Sequence, residues 1–294
     1  MTLQHLADVE VHLARSLREA LELLSTGKRF KVLAGGTDLI VQLRTGAMPK
    51  TDLLDISRVD ELRYIRFDDG VLRIGALTTF MEIYESDLVR RYAPVLSEAA
   101  FTAGSFQIMN KGTIGGNIVN ASPAADSLPP LYVLDAELVI VGPRGERVVG
   151  IRDFYRGYKR LDLREDELVA EVRIRPPGDG YIGHFFKHGL RRGDAISVVN
   201  GAVLIDVSRD GVVGDARIAL GAVAPTVVRS PNAERVLIGS RLTKEVMWRA
   251  AEAVLKDISP IDDIRGSADY RRELSVNYVF MTLYRIAREA GGDA

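Results

Sequence analysis

Two glycine pairs carry the strongest chemical signal in this 294-residue chain. Gly35-Gly36-Thr37-Asp38 follows the apolar run Phe30-Lys31-Val32-Leu33-Ala34, and Leu39-Ile40-Val41-Gln42-Leu43 resumes after it. Gly115-Gly116-Asn117 lies about 80 residues further on, preceded by Gly112-Thr113-Ile114. Glycine tolerates positive φ and has no Cβ, so backbone N–H groups in such a loop approach a ligand closely. Successive N–H groups form a nest that suits an anion such as a pyrophosphate. Thr37, Thr113 and Asn117 add hydroxyl and amide groups. One such loop reads more readily as a tight turn. Two of them, both polar, point to one phosphate-bearing ligand held from two sides: a nucleotide-type cofactor, with none singled out.

Other chemistries are excluded or weak. The chain has no cysteine, hence no disulfide, thiolate zinc site, thiol nucleophile or thiolate-ligated iron–sulfur cluster of its own. No dinucleotide fingerprint follows a strand, and neither a P-loop nor a G-x-S-x-G elbow is present. His184 and His188 are four apart in an aromatic, strand-like run, where that spacing separates them. They read as sheet-surface histidines, and no metal site is expected. A net charge of −1, from 39 basic and 40 acidic residues, gives no field for nucleic acid or an anionic membrane. Met1-Thr2-Leu3-Gln4-His5-Leu6 lacks the features of a signal peptide, and no apolar run reaches the ~18 residues of a membrane span. The expectation is a cytoplasmic protein in a reducing compartment.

The elements that must position the loops are legible. Ser16-Leu17-Arg18-Glu19 is a capping box, and Leu17, Leu21 and Leu24 continue at helical spacing up to Gly27. Strands are expected at 30–34 and 53–56, with a helical turn at 39–43. A hairpin is expected around Asp69-Gly70, and helical patterns cover 79–86 and 95–103. Another strand runs from Glu137 to Val141. Arg175-Pro176-Pro177-Gly178-Asp179-Gly180 is the best linker. Beyond it, 182–187, 196–207 and 217–223 alternate like an antiparallel sheet with a turn at Asp210-Gly211, and 243–257 and 268–289 are helical. Strands followed by a run of helices give an α+β class, and the length suits two domains.

The segment from Lys31 to Leu39, and Gly112 to Ile118 followed by Ser122-Pro123-Ala124-Ala125-Asp126, resemble the two flavin-binding signatures of the FAD (medium) subunit of molybdenum hydroxylases. This is the xanthine dehydrogenase and carbon monoxide dehydrogenase group. Further matches are Asp166-Glu167-Leu168-Val169, Phe186-Lys187, Leu220 to Thr226, and Asp263 to Arg272, in the family's order over nearly the whole chain. The resemblance implies an FAD domain of the vanillyl-alcohol-oxidase type over 1–177, in two α/β subdomains split near residue 57. A small α+β domain over 181–294, of the CO dehydrogenase flavoprotein C-terminal kind, completes the chain.

It also implies a site. Lys31, Val32, Leu33, Ala34, Gly35, Gly36, Thr37, Asp38 and Leu39 wrap the pyrophosphate and ribityl chain. Thr113, Ile114, Gly115, Gly116 and Asn117 hold the other side of the diphosphate. Asp126 and Lys187 match polar FAD contacts, and Val169 an apolar one. No side chain is expected to be catalytic, since the flavin performs the electron transfer. Two departures stand out. Ala103 replaces an aromatic that stacks on the flavin in the animal enzymes, leaving Phe106 or Tyr181 to cover that face, and Met109 stands where many bacterial relatives carry arginine.

The implied function is a redox relay. Non-covalent FAD takes electrons from [2Fe-2S] clusters on a small iron–sulfur subunit and passes them to NAD⁺ or another acceptor. A large subunit carries the molybdenum cofactor, in a dimer of heterotrimers. The different-class reading is a stand-alone FAD-dependent oxidoreductase of the vanillyl-alcohol-oxidase superfamily.

Overall fold

Ser16 opens the first helix as its spacing predicts: its side chain accepts the Glu19 N–H, and the Glu19 carboxylate takes the N–H of Arg15. In the computed structural model, which describes residues 9–191, 193–208 and 210–291, that helix belongs to a small parallel layer. The Met1–Leu6 segment read for a leader lies outside the described residues. Strands β1 (Val11–Leu13), β2 (Phe30–Leu33) and β3 (Asp52–Asp55) alternate with helices α1 (Leu17–Leu24) and α2 (Leu39–Thr45). The sheet order is β1-β3-β2, all parallel, so both crossovers are helical. Ala20, Leu24 and Leu54 bury its core.

A five-stranded antiparallel sheet follows. It contains β4 (Ile65–Asp68) and β5 (Val71–Gly75), joined at Asp69-Gly70 as expected. The chain then runs through α3 (Phe80–Glu85), α4 (Asp87–Tyr92), α5 (Pro94–Phe101), α6 (Phe106–Met109), α7 (Ile114–Asn120) and α8 (Leu128–Val133). Strands β6 (Glu137–Gly142) and β7 (Gly145–Gly150), helix α9 (Ile151–Phe154), the short pair β8 (Tyr155–Gly157) and β9 (Arg160–Leu161), and β10 (Leu168–Ile174) complete it. The order β4-β5-β10-β6-β7 places β10 at the centre. Its Leu168 and Ala170 reach the parallel layer's core, while Val169, Val172 and Ile174 face the larger one.

Residues 175–180 join β10 to the last sheet, β11 (Tyr181–Gly189), β12 (Ser197–Val207), β13 (Val213–Gly221) and β14 (Val228–Arg229), antiparallel in sequence order. Helices α10 (Pro231–Leu237), α11 (Lys244–Ala253) and α12 (Ala268–Glu289) cover one face around Val199, Ile218, Met247 and Val279. The other face lies on the preceding helices: Phe185, Ala202, Leu204 and Ala219 share a core with Leu96, Leu131 and Ile118. That shared apolar face fixes β11 against α5 and β12 against α8.

Candidate functional site

Strand β2 ends at Leu33, and the chain turns through Gly35-Gly36-Thr37-Asp38 into α2. Gly36 sits at φ +72°, a left-handed conformation that costs other L-residues roughly 1–2 kcal/mol. Gly35 is fixed by approach: a Cβ there would stand 1.8 Å from the carbonyl oxygen of Lys111. The two glycine segments therefore touch, with Thr37 against Gly112. Among the described residues, the N–H groups of Gly35, Gly36, Thr37 and Asp38 have no acceptor. Asp38 does not cap α2, because its carboxylate accepts from the Gln42 amide instead. A left-handed glycine followed by successive N–H groups that no group among the described residues accepts is the kind of turn that can receive an anion.

The second segment is built differently from the first. Thr113 is the N-cap of α7, so Ile114 to Asn117 form a first helical turn where the sequence reads as a loop. Their N–H groups are all engaged: Ile114 with Thr78 O (3.0 Å), Gly115 with Ala76 O (2.9 Å), Gly116 with Thr113 Oγ1 (3.2 Å) and Asn117 with Thr113 O (3.0 Å). The second segment does not repeat the first as a donor nest. Thr113, Ile114 and Gly115 are buried as anchors, and only Gly116 and Asn117 open to the surface. Missing here was the cap: threonine followed by a helical turn is a start signal.

Asn117 leads to the polar pair. Its Oδ1 accepts from Ser127 Oγ at 2.6 Å, and the neighbouring Asp126 is ion-paired with Lys187 Nζ at 2.6 Å. Lys187 also donates to Thr102 O at 2.8 Å. Ser197 Oγ (2.9 Å) and Asn200 Nδ2 (3.0 Å) donate to Asp126. The two charged side chains are 12 and 10% exposed. Burial pushes the Asp126 carboxyl up, against the pull of the Lys187 ammonium. A buried amide inside Val198-Val199-Asn200-Gly201-Ala202 is the signal that sequence reasoning passed over, since such a group needs partners.

The other predicted positions fall as follows. Lys31 is exposed on β2; Val32 and Ala34 pack into the first core; Leu33 lies over Gly36; Leu39 is half-buried. Val169 is a core residue of β10 opposite Ile140, a strand against which α7 packs. Of the two residues left to cover the position of Ala103, Phe106 is 69% exposed on α6. Tyr181 is committed elsewhere: its hydroxyl donates to Asp215 at 2.8 Å and Arg217 stacks on its ring. Met109 is buried in the core, so it leaves no exposed charge position at that site. His184 is not a sheet-surface residue as expected. It is buried, with one ring nitrogen 2.9 Å from Glu98 and the other 2.7 Å from Glu289. The period-two reading overlooked that α5 and α12 both press on this edge of the sheet. His188 contacts the hydroxyls of Tyr278 (3.0 Å) and Tyr270 (3.1 Å).

Comparison with known proteins places the chain in a family. Residues 7–177 match the FAD binding domain in molybdopterin dehydrogenase, and residues 184–286 match the CO dehydrogenase flavoprotein C-terminal domain. The chain belongs to the FAD-binding subunits of the molybdenum hydroxylases. It is 34% identical to the xanthine dehydrogenase FAD-binding subunit of Escherichia coli O157:H7 over 283 residues, 96% of this chain and 97% of that one. It is 33% identical to the carbon monoxide dehydrogenase medium chain of Hydrogenophaga pseudoflava, over 90% and 92% of the two chains. A solved structure of carbon monoxide dehydrogenase from that organism superposes with a TM-score of 0.90 at 34% identity, covering 94% and 96%. Members of this molybdenum hydroxylase family are oxidoreductases, and FAD is the cofactor of this subunit. The residues present fit it: the four unpartnered N–H groups at Gly35–Asp38 are the donors a diphosphate needs. No helix of the described residues is long and apolar enough to cross a membrane.

Proposed function

We propose that residues 1–177 hold FAD non-covalently between the Gly35–Asp38 nest and the open Gly116-Asn117 turn, and that residues 181–294 form the second domain, which closes over the ring. The carrying observation is the run of N–H groups at Gly35, Gly36, Thr37 and Asp38 that no group of the described chain accepts. Gly36 supplies the left-handed turn, and Thr37 and Asn117 flank the diphosphate. Phe106 covers the face vacated at Ala103. Lys187, braced by Asp126 and Thr102, presents positive charge beside the ring. Val32 and Val169 give the apolar walls.

FAD, when bound, supplies the exchange between one-electron and two-electron carriers. The chain's residues bind and orient it; no side chain acts as acid or base. Electrons come from [2Fe-2S] clusters on a small iron–sulfur subunit and leave to NAD⁺ or another acceptor. A large molybdopterin subunit completes a heterotrimer that pairs as a dimer. Relatives named for xanthine, glyceraldehyde, nicotinate and carbon monoxide dehydrogenases stand at 33–34% identity, so likeness favours no single substrate. The test is to purify the chain with and without its neighbouring subunits and follow flavin reduction by the organic substrate. Reduction only in the complex supports the relay. Rapid reduction of the lone chain would establish the stand-alone oxidoreductase.

A further inference from the structure

Helix α5 and strand β11 are joined at two points, and only one of them belongs to the flavin site. At the first, Lys187 Nζ bonds Thr102 O and Asp126. At the second, three residues earlier on the strand and roughly 10 Å away at strand rise, Glu98 receives the Phe185 N–H at 2.8 Å and one nitrogen of His184 at 2.9 Å. The other nitrogen of His184 meets Glu289, at the last turn of α12, at 2.7 Å. A neutral imidazole has one N–H, so it donates to one carboxylate and turns a lone pair to the other; only the imidazolium donates to both.

The surroundings favour the charged form. Arg285 of α12 lies 3.4 Å from Glu98 and 3.1 Å from Glu289. Arg90 of α4, Tyr84 of α3 and Lys187 itself line the adjoining cleft of about 540 Å³. Opposite His184 on β12 stands the uncharged Val203. With the imidazolium, two carboxylates meet two cations; without its proton, one negative charge is left unmatched beside the buried ring, among partly exposed groups.

We propose that His184 is a positioning residue for the flavin site: bridging Glu98 and Glu289, it holds the end of α5 on β11 where Lys187 reaches Thr102. This rests on the reading that Lys187 faces the flavin. Burial opposes the imidazolium, but the bonds to Glu98 and Glu289 outweigh it, so His184 titrates above the ordinary histidine range. A raised folded-state value means that the clamp is fully present below the unfolded value and is lost as pH rises through the folded one.

The test is FAD affinity of the full chain against pH, in wild type, His184→Gln, Glu289→Gln and Lys187→Met. In wild type, Kd should rise about tenfold as pH climbs through a step above the ordinary histidine range, the size of one charge-assisted hydrogen bond. His184→Gln should bind weakly at every pH and show no step. Glu289→Gln should move the step to lower pH, because the imidazolium loses one of its two anions. If His184→Gln keeps both affinity and step, the positioning role is overturned. If it does not fold, Glu289→Gln decides: an unmoved midpoint overturns the proposal. Lys187→Met separates the underlying reading. If it weakens FAD while the His184 and Glu289 variants match wild type, only the clamp fails. If it leaves affinity and potential unchanged, Lys187 is not at the flavin and the proposal falls with it.

Discussion

Replacing Lys187 by methionine keeps the unbranched apolar stem and removes the terminal ammonium with its charge. In the native chain the ammonium sits 2.6 Å from Asp126 and 2.8 Å from Thr102 O, with both partners' side chains about nine-tenths buried. The variant strands a carboxylate that retains only the neutral donors Ser197 and Asn200. Removing one partner of a buried ion pair costs ~3–5 kcal/mol. With two hydrogen bonds left, about 3 kcal/mol is expected at neutral pH. The sign with pH follows from Asp126. Burial already pushes its carboxyl up, and without the ammonium nothing of opposite charge opposes that shift. A carboxyl whose folded value lies above the unfolded one favours the fold when protonated. The deficit should therefore be smallest below the ordinary carboxylate range, where Asp126 is neutral in folded and unfolded chain alike, and grow as pH rises. Urea unfolding across that range reads it directly, and adding Asp126→Asn should restore most of the loss. The same variant should lower the flavin's midpoint potential or weaken FAD binding, since a nearby ammonium favours negative charge. Unfolding curves that coincide with wild type at about pH 8 would refute the reasoning.

Gly36→Val and Gly116→Val should both yield flavin-free protein, read as the flavin-to-protein absorbance ratio after gel filtration. Gly116→Val should keep the fold, because a Cβ there meets only Thr113 Oγ1, at 2.9 Å. Gly35→Ala should instead displace the 111–112 segment and lower the melting temperature. Glu167, gripped by Arg147 at 2.7 and 3.0 Å, is held down at about 2, so the pair stabilises above the ordinary carboxylate range and is lost as pH falls. Arg147→Met should cost a part of the ~3 kcal/mol that this shift represents, since Arg164 still holds Glu167, and should flatten acid unfolding. Acid precipitation of the holoprotein should send all flavin to the supernatant; a yellow pellet would mean a covalent bond.

Local rules made the first layer legible. A cap at Ser16, two strands and a double-glycine turn each occupy short stretches whose propensities agree with the fold. The long helix α12 and the Asp69-Gly70 hairpin were readable for the same reason. Helices α4, α6, α7 and α8 were not, because these four short helices are ordered by packing on the antiparallel sheets rather than by their own period. The central position of β10 was hidden as well, since its buried residues point to two different cores and show no alternation. At the site, the nest at Gly35–Asp38 was visible because glycine chemistry is local. Ser127, Ser197, Asn200 and Thr102 were not, because the polar network around Asp126 and Lys187 unites residues up to 85 positions apart.

In the proposed relay the FAD of this chain is reduced only through an iron–sulfur partner, not by the organic substrate alone. Anaerobic rapid mixing of the FAD-loaded chain with its pre-reduced iron–sulfur partner tests it most directly. A relay gives fast loss of the flavin's visible absorbance with the partner, and none within the same time when the organic substrate alone is added. Bleaching by the substrate without the partner, or an unchanged spectrum with it, would rule out the relay.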